Sequence, residues 1–440
     1  MLPCSKCQRN AALPAARKTK DDHLKLNRRQ MLQVAASGAA AMGCSQAAVP
    51  ALPNRKREAK VVTAAERQRR ILRAQELINE NKLGAIAVAG GTSLQYFAGV
   101  RWGTSERMFI MVLPGKGDPF FVVPAFERDR AVEQIQLGPF GKNFQVVTWE
   151  EDDSPYQKMA FMLKERGLAT ASIGIEETTD FVFADGIGKA ATQAKVMTAT
   201  DVTAGCRMVK SPLELDIMRF ANDVTIRAFE WAYKQIKEGM TQNDFAALIA
   251  EGHAQQGFQG YAMVLVGEYS ALPHGTIQPQ KIREGTIILI DGGCTVEGYK
   301  SDISRTFVVG GKAPEKMKQV FEVVQRAQAA ALKAAKPGAA CESVDAAARK
   351  VIEDAGWGPG YKYFTHRVGH GIGMDGHEWP YLVKANTKPL APGMTFSDEP
   401  GIYIKGEFGV RLEDDMVITA DGAELFTGQS RSLEEPFAKL

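Results

Sequence analysis

The sequence predicts two folded domains, an α/β domain followed by a larger α+β domain. The chain has 440 residues, which is more than a single hydrophobic core usually holds. In its first part, short apolar runs alternate with helical patterns, whereas its second part combines amphipathic helices with strands that carry acidic residues. We therefore expect a signal and linker at 1–60, an α/β domain at 62–205 and an α+β domain at 206–440.

The α/β domain should open with a helix. Thr63 and Glu66 have the spacing of a capping box, and apolar residues then recur at helical spacing as far as Lys82. Short apolar runs bounded by glycine, proline and charge predict the strands 85–89, 108–113, 120–124 and 172–176.

The α+β domain has a clearer start signal, and its boundary is expected near Gly205. Ser211, Pro212 and Glu214 supply an N-cap, a proline at the first helical position and the reciprocal acid of a capping box. Thr241 should cap the next helix. Periodicity predicts further helices at 314–335 and 343–355, and strands at 286–291, 301–309, 394–397 and 410–419.

Composition indicates a small-molecule partner. Lys and Arg number 54 against 51 Asp and Glu, and the formal net charge of +3 gives no electrostatic case for nucleic acid or an anionic membrane. Six scattered cysteines predict neither a disulfide framework nor a zinc site, although Cys4 and Cys7 have metal-like spacing.

The N-terminus is typical of an export signal. Arg28 and Arg29 precede an Ala-rich apolar run from Val34 to Met42, which resembles a twin-arginine signal and implies a periplasmic or extracellular protein. The run is shorter than the roughly 20 residues that cross a bilayer, so we expect no membrane span. The alternative is a disordered basic extension on a cytoplasmic protein.

Two aspartates lie in a predicted strand pair. Asp291 follows the apolar run 287–290 and precedes two glycines, so it should emerge where the strand ends at a cleft. After a turn at Glu297 and Gly298, an antiparallel return would bring Asp302 beside it. Two carboxylates at close range repel each other unless cations lie between them. The alternative is a pair of turn or capping acids.

Three further segments carry chemistry-bearing residues. The segment 365–380 holds three of the six histidines, His366, His370 and His377, among glycines that permit close approach. Glu399 precedes a Pro-Gly turn, and Arg411 and Glu413 alternate so that they should share one strand face.

Taken in this order, the segments resemble the pita-bread metallohydrolases, which include prolidase, aminopeptidase P, methionine aminopeptidase and the metal-free creatinase. The resemblance implies a creatinase-like N-terminal domain, a pita-bread catalytic domain and two metal ions. The implied ligands are Asp291, Asp302, His370, Glu399 and Glu413, with Asp302 and Glu413 bridging the ions. Manganese is our choice from the family, with cobalt, zinc or iron as alternatives, since four carboxylates and one imidazole form an oxygen-rich site.

The resemblance is strongest to the Xaa-Pro branch, because outer histidines and an arginine are present. It implies that the catalytic residues are His274, His366, His377, Glu399 and Arg411. The expected reaction is hydrolysis of Xaa-Pro bonds in small peptides, by a hydroxide that two metal ions activate at neutral pH. Glu399 would move the proton to the leaving nitrogen, His366 and His377 would bind the substrate carbonyl, and His274 would hold the substrate end.

Two other expectations follow from the same resemblance. The chain should form a homodimer or a higher homo-oligomer, in which the region of Trp102 either reaches an active site across the interface or is an ordinary tryptophan. Rival functions are a phosphotriester hydrolase or lyase that uses the same metals, and a catalytically dead binding module. The second rival should lack ligands, and all five are present.

Overall fold

The structure, a computed structural model, describes residues 49–437, so the predicted export signal, Cys4 and Cys7 lie outside the described residues. Helices are labelled in chain order: α1 (Ala64–Glu80), α2 (Thr92–Ala98), α3 (Arg128–Gln136), α4 (Pro155–Glu165), α5 (Phe181–Ala190), α6 (Thr200–Arg207), α7 (Pro212–Tyr233), α8 (Gln242–Gln255), α9 (Glu315–Ala334) and α10 (Cys341–Asp354). Strands of the first part are β1 (Ala85–Ala89), β2 (Ile110–Pro114), β3 (Phe120–Pro124), β4 (Gln145–Trp149), β5 (Ser172–Ile175) and β6 (Lys195–Thr198). Those of the second part are β7 (Gln259–Val266), β8 (Ile287–Val296), β9 (Tyr299–Lys300), β10 (Ile303–Val308), β11 (Gly369–Gly371), β12 (Glu378–Leu382), β13 (Thr395–Asp398), β14 (Gly401–Ile404), β15 (Phe408–Arg411), β16 (Asp414–Ile418) and β17 (Ala423–Leu425).

The N-terminal part is one mixed sheet with helices on both faces. Its strand order is β4-β3-β2-β1-β5-β6. The central pairs β1–β2 and β2–β3 are antiparallel, whereas the outer pairs β3–β4, β1–β5 and β5–β6 are parallel. Strand side chains alternate between two cores, since Ile86 and Val88 pack with α1 and α2, whereas Ala85 and Ala87 pack with α4 and α5. The predicted α/β class is confirmed for this part.

The C-terminal part combines antiparallel sheets with long helices, as an α+β fold requires. One sheet has the order β10-β8-β7, and β9 pairs with β8. A second sheet has the order β12-β11-β13-β16-β17, and β14 and β15 form a separate hairpin. Helices α7 and α8 cover the first sheet, and α9 and α10 pack in the core of the second.

Local signals set the helix starts. Ser211 accepts from the backbone of Glu214, and the Glu214 side chain accepts from the backbone of Ser211, so the predicted capping box is confirmed. At α1, Thr63 accepts from the Glu66 backbone, but the return half of that box is not formed. The Glu66 carboxylate instead accepts from the Ser211 hydroxyl at 2.8 Å, which links the starts of α1 and α7.

Two strand predictions around the acids were wrong. Strand β8 does not end at Asp291 but continues to Val296. The two glycines after Asp291 allow neighbouring backbone to come close, since a Cβ on Gly293 would lie 1.8 Å from the Ser301 carbonyl oxygen. The predicted strand 410–419 is two strands, because the chain leaves the hairpin at Arg411 and joins the other sheet at Asp414.

A single apolar cluster crosses the expected domain boundary. It combines residues of α1, α2 and β1 with Cys294, Val296, Ile372 and Met374 from the C-terminal part. The division at Gly205 therefore stays a prediction, since the two parts share a core.

Two further observations concern the described residues as a whole. Within 49–437, no helix combines the length and the hydropathy that a bilayer crossing requires. Three free cysteines are buried in that range, Cys206, Cys294 and Cys341.

Candidate metal centre and active site

The sequence-predicted site residues converge on one cavity. Its lining contains all nine of them, together with Arg367: His274, Asp291, Asp302, His366, His370, His377, Glu399, Arg411 and Glu413. They come from distant segments that the two antiparallel sheets and the β14–β15 hairpin bring together.

Strand pairing places the first two aspartates. Strands β8 and β10 are antiparallel as expected, with Ser304 opposite Asp291, and the turn between them has positive φ at Glu297 (51°) and Gly298 (93°). Asp302 lies immediately before β10, and its backbone N–H donates to Asp415 Oδ2 at 3.0 Å.

The glutamates approach from the other side. Glu413 lies between β15 and β16, is 2% exposed, and has its Oε2 2.6 Å from Ser304 Oγ. Glu399 follows β13, with its Oε1 3.2 Å from His370 Nε2. The ligand atoms of Asp302, His370 and Glu413 lie within 4.8 Å of one another.

The charges in this cluster are unbalanced, which is the observation that tests a metal site. Burial, together with the charge of Asp291 in one case and of Asp302 in the other, raises the pKa values of Asp302 and Glu413 well above their usual range. Within residues 49–437, neither carboxylate forms an ion pair. Buried acids of this kind need cations beside them, so the donor set fits divalent metal ions.

Glu399 is in the opposite electrostatic state. Burial raises its pKa, but the hydrogen bond from His370 and the nearby His366 and Arg411 outweigh burial and lower the pKa to about 2. The same contact acts on His370, because Glu399 outweighs burial and raises the pKa of the imidazole. Glu399 and His370 therefore form an ionic pair next to the uncompensated acids.

Arg411 fixes the cavity wall. It is 2% exposed, and its Nη2 donates to Asp291 Oδ2 at 2.6 Å. Its Nη1 donates to the Pro273 carbonyl at 3.1 Å, which anchors the segment that carries His274.

The outer histidines differ in how firmly they are held. His366 Nε2 lies 2.7 Å from the Tyr403 hydroxyl, and the Tyr403 hydroxyl also accepts from Arg411 at 3.1 Å. The His377 ring stacks on His370 at 3.7 Å between centroids, and its Nδ1 is 3.4 Å from Arg367 Nη2. His377 is otherwise exposed to the cavity.

Sequence reasoning missed three residues of this network, Ser304, Arg367 and Tyr403. Hairpin pairing could have found Tyr403, since Gly401 pairs with Arg411 and Tyr403 lies two residues further along the same face. Arg367 was adjacent to a predicted histidine, but nothing in its own pattern distinguished it.

Trp102 lies away from this cavity in the described chain. Its ring stacks on Phe109 at 4.2 Å, and the Arg130 guanidinium lies 4.4 Å from its centroid. These contacts lie within one chain, so the reach of Trp102 to an active site of a second copy stays a prediction.

Comparison with known proteins agrees with this architecture. Residues 216–420 match Metallopeptidase family M24, and residues 70–209 match the Creatinase/Prolidase N-terminal domain. A probable dipeptidase PepE from Mycobacterium tuberculosis is 37% identical over 359 residues, which cover 81% of this chain and 92% of that protein. An Xaa-Pro dipeptidase from Lactobacillus delbrueckii subsp. lactis is 33% identical over 375 residues, which cover 82% of this chain and 97% of that protein.

Solved structures give the same result. The dipeptidase PepE of Mycobacterium ulcerans superposes with a TM-score of 0.78 and 34% identity, covering 86% of this chain and 99% of that chain. A prolidase from Pyrococcus furiosus superposes with a TM-score of 0.68 and 29% identity, covering 81% of this chain and 100% of that chain. The expected creatinase-like and pita-bread domains are thereby confirmed, and this chain belongs to metallopeptidase family M24, as a metal-dependent peptidase.

Proposed function

We propose that this protein hydrolyses Xaa-Pro bonds in small peptides with two divalent metal ions. The observation that carries the proposal is the cavity in which two buried acids without an ion-pair partner in the described part of the chain, Asp302 and Glu413, face the outer histidines and Arg411. Relatives named Xaa-Pro dipeptidase, aligned over most of this chain, support the substrate class.

Asp291, Asp302, His370, Glu399 and Glu413 would hold the ions. Bound divalent ions supply Lewis-acid chemistry, which makes water nucleophilic at neutral pH and polarises the scissile carbonyl. Arg411 fixes the orientation of Asp291 through its 2.6 Å ion pair, and Ser304 Oγ, 3.0 Å from Asp291 Oδ1, holds the other oxygen.

The remaining residues bind substrate and move protons. Glu399 is ionised at neutral pH, because the hydrogen bond from His370 and nearby positive charges outweigh burial and lower its pKa to about 2. Its carboxylate would take a proton from water that the metal ions make more acidic, and return it to the leaving nitrogen. His377 lines the cavity and would donate to the substrate carbonyl as charge develops on its oxygen. His366 also lines the cavity, but both of its ring nitrogens have partners, the Arg367 carbonyl at 2.8 Å and the Tyr403 hydroxyl at 2.7 Å, so it would orient Tyr403 rather than donate to the substrate. His274, which is exposed and lines the cavity, would bind the substrate end.

A peptide panel tests the proposal. With Mn²⁺ present, Gly-Pro, Ala-Pro and a longer Xaa-Pro peptide are compared with Gly-Leu, and release of the first amino acid is measured. Cleavage of Xaa-Pro peptides but not Gly-Leu is expected. If no peptide is cleaved, the phosphotriester hydrolase and lyase alternatives gain and the peptidase proposal falls.

We also propose manganese as the metal and a homodimer or higher homo-oligomer as the assembly. The oxygen-rich donor set supports a hard or borderline ion over copper. Metal analysis of the purified protein and sedimentation analysis measure these properties. Zinc in two equivalents, or a monomer at micromolar concentration, would contradict the respective proposal.

Export is a separate proposal that rests on the sequence alone. The twin arginines Arg28 and Arg29, followed by an apolar Ala-rich run, support a periplasmic or extracellular location. Replacement of both arginines by lysine should leave the protein in the cytoplasm, which cell fractionation measures. Normal secretion of that variant would refute the signal.

A further inference from the structure

The loop that carries His377 is held by the end of α6 and the segment that follows it, where the two domains are expected to meet. This loop runs from β11 to β12, and Asp375 and Glu378 lie on either side of His377. The same nitrogen of Arg207, Nη2, donates to both carboxylates, with distances of 2.6 Å to Asp375 Oδ2 and 2.5 Å to Glu378 Oε2. Arg207 is the last residue of α6 and is 8% exposed.

A second cation completes the contact. Lys210 is 5% exposed and donates to Glu378 Oε1 at 2.7 Å, so the two oxygens of Glu378 each bind a buried cation. Gly373 leaves room for this arrangement, since a Cβ there would lie 2.3 Å from Glu378 Oε1 and 3.0 Å from Lys210 Cε. The contact therefore constrains the whole turn.

The N-terminal part holds the opposite side of the loop. Thr92, the first residue of α2, donates to Asp375 Oδ1 at 2.6 Å, and Ser93 Oγ accepts from Arg207 Nη1 at 3.3 Å. Ile372 and Met374 belong to the apolar core around α1 and α2. The side chains of Asp375 and Glu378 are thus held by Thr92 of the N-terminal part and by Arg207 and Lys210 at the expected domain boundary.

His377 itself has weak direct support. Its contacts are the ring stack on His370 and the 3.4 Å approach of Arg367. The position of its imidazole in the cavity is therefore set mainly by the residues on either side of it.

We propose that Arg207 and Lys210 are positioning residues, which place His377 in the active site by holding Asp375 and Glu378. The inference rests on the proposed peptidase function, in which His377 binds the substrate carbonyl. It assigns the segment at the expected domain boundary a role in the chemical step, through a buried ionic contact. Outer contacts of this kind typically change activity by about 10–100-fold.

The test is a double-mutant cycle between Glu378 and His377. Glu378→Gln keeps the side-chain volume and removes the charge that faces the two cations. In the otherwise native enzyme it should lower kcat about 10–100-fold with little change in KM or metal content. In a His377→Ala background it should have no further effect on kcat, because the residue through which it acts is gone.

Glu214→Gln is the matched control. Glu214 is 3% exposed, accepts from the Tyr299 hydroxyl at 2.6 Å, and lies 3.4 Å from Arg70 of α1, so it forms a comparable buried contact between the two parts. This variant should lower the melting temperature without lowering kcat. An equal loss of kcat in the control, or equal losses from Glu378→Gln in both backgrounds, would overturn the proposal.

A second variant and a second readout cover poor folding or an inactive enzyme. Asp375→Asn breaks the more exposed contact and leaves Glu378 paired.

The chain has six histidines, so the His377 signal in nitrogen-15 histidine spectra of the metal-free protein can be assigned by comparison with His377→Ala. The His377 signal should shift or broaden in Asp375→Asn and Glu378→Gln but not in Glu214→Gln; an unmoved signal in both would refute positioning. If the native protein cleaves no Xaa-Pro peptide, the proposed function fails while this spectroscopic result still decides the contact.

Discussion

The central strands of the two parts are equally buried but carry opposite chemistry. Every residue of β1, β2 and β3 is buried and apolar or proline. Strand β16 is also fully buried, yet it begins with Asp414 and Asp415. Burial of an apolar side chain stabilises a fold by itself, whereas burial of a carboxylate requires a partner.

The acids of the second part divide according to their partners. Asp414 pairs with Arg305 at 2.7 Å, and Asp415 accepts from Asn222 at 2.9 Å. Asp302 and Glu413 have no ion-pair partner among residues 49–437. Of these four acids, Asp414 and Asp415 are held by side chains of the surrounding fold, whereas Asp302 and Glu413, which have no ion pair in that range, lie in the cavity proposed for the metal ions.

The largest expected effect comes from removing an unpartnered acid. Asp302→Asn should lower kcat/KM by about three orders of magnitude or more and reduce bound metal, because a charged ligand is lost. In chelator at pH 7 the same variant should be more stable than the native protein, since the pKa of Asp302 is raised well above its usual range and its charge is unfavourable there. Activity assays, metal analysis and thermal unfolding measure these effects.

Asp414→Asn is the control for this variant. It leaves the buried Arg305 guanidinium without its anion, which typically costs about 3–5 kcal/mol of stability. Opposite signs for the two variants in chelator are expected. Equal destabilisation would show that both acids belong to the fold and would break the comparison.

A substitution in the N-terminal sheet should affect stability alone. Phe121, fully buried in β3, packs edge-to-face on Phe140 at 6.1 Å, so Phe121→Ala should lower the free energy of unfolding by about 3–5 kcal/mol. The kcat of the folded protein should be unchanged. Phe161→Ala, at a residue that is 59% exposed, is the control and should stay within about 0.5 kcal/mol of the native value. A specific loss of kcat in Phe121→Ala would argue against the separation of roles.

His377→Ala separates metal binding from chemistry within the second part. It should retain both metal ions and lower kcat by about 10²–10³-fold, the usual effect of losing one donor to a developing oxyanion. Turnover and metal content are measured on the same preparation. Native turnover would remove His377 from the mechanism, and lost metal would make it a ligand.

The smallest effect concerns a buried polar residue that is satisfied without charge. His253 Nδ1 donates to the Ile249 carbonyl at 2.8 Å, and its Nε2 lies 3.2 Å from the Thr225 hydroxyl. Burial lowers the pKa of His253 to about 4, so its contribution to stability is complete above the unfolded pKa of 6.5 and is lost as pH falls through 4.

The expected total loss from His253 is about 3 kcal/mol. It is measured as the difference between native protein and His253→Gln in unfolding free energy at pH 7.5 and at several values down to pH 4. Parallel pH profiles for the two proteins would show that His253 does not contribute.

The sequence predicted the acids and histidines of the site because their order along the chain resembles that of a known family, whereas single segments, such as Glu399 before its Pro-Gly turn, were weak signals. It did not predict the contacts among them. Ser304 reaches Glu413 across 109 positions, and Arg207 reaches Glu378 across 171, so only the folded sheets reveal these pairs.

Two strands of the N-terminal sheet were missed and the end of β8 was misplaced, each for a physical reason. Strands β4 and β6 are the two edges of the N-terminal sheet, where residues such as Gln145 and Lys195 are exposed, so the apolar pattern of the central strands is absent. The end of β8 was misplaced because paired glycines usually signal a turn, whereas here they make room for Ser301.

The apolar cluster that joins the two parts limits how this enzyme could be taken apart. A catalytic fragment lacking the first two hundred residues would expose Val296, Ile372 and Met374 to water as an apolar patch, which would favour aggregation. Such halves are not interchangeable modules. A different N-terminal half could replace the native one only if the apolar interface were redesigned together with the contacts that hold the His377 loop.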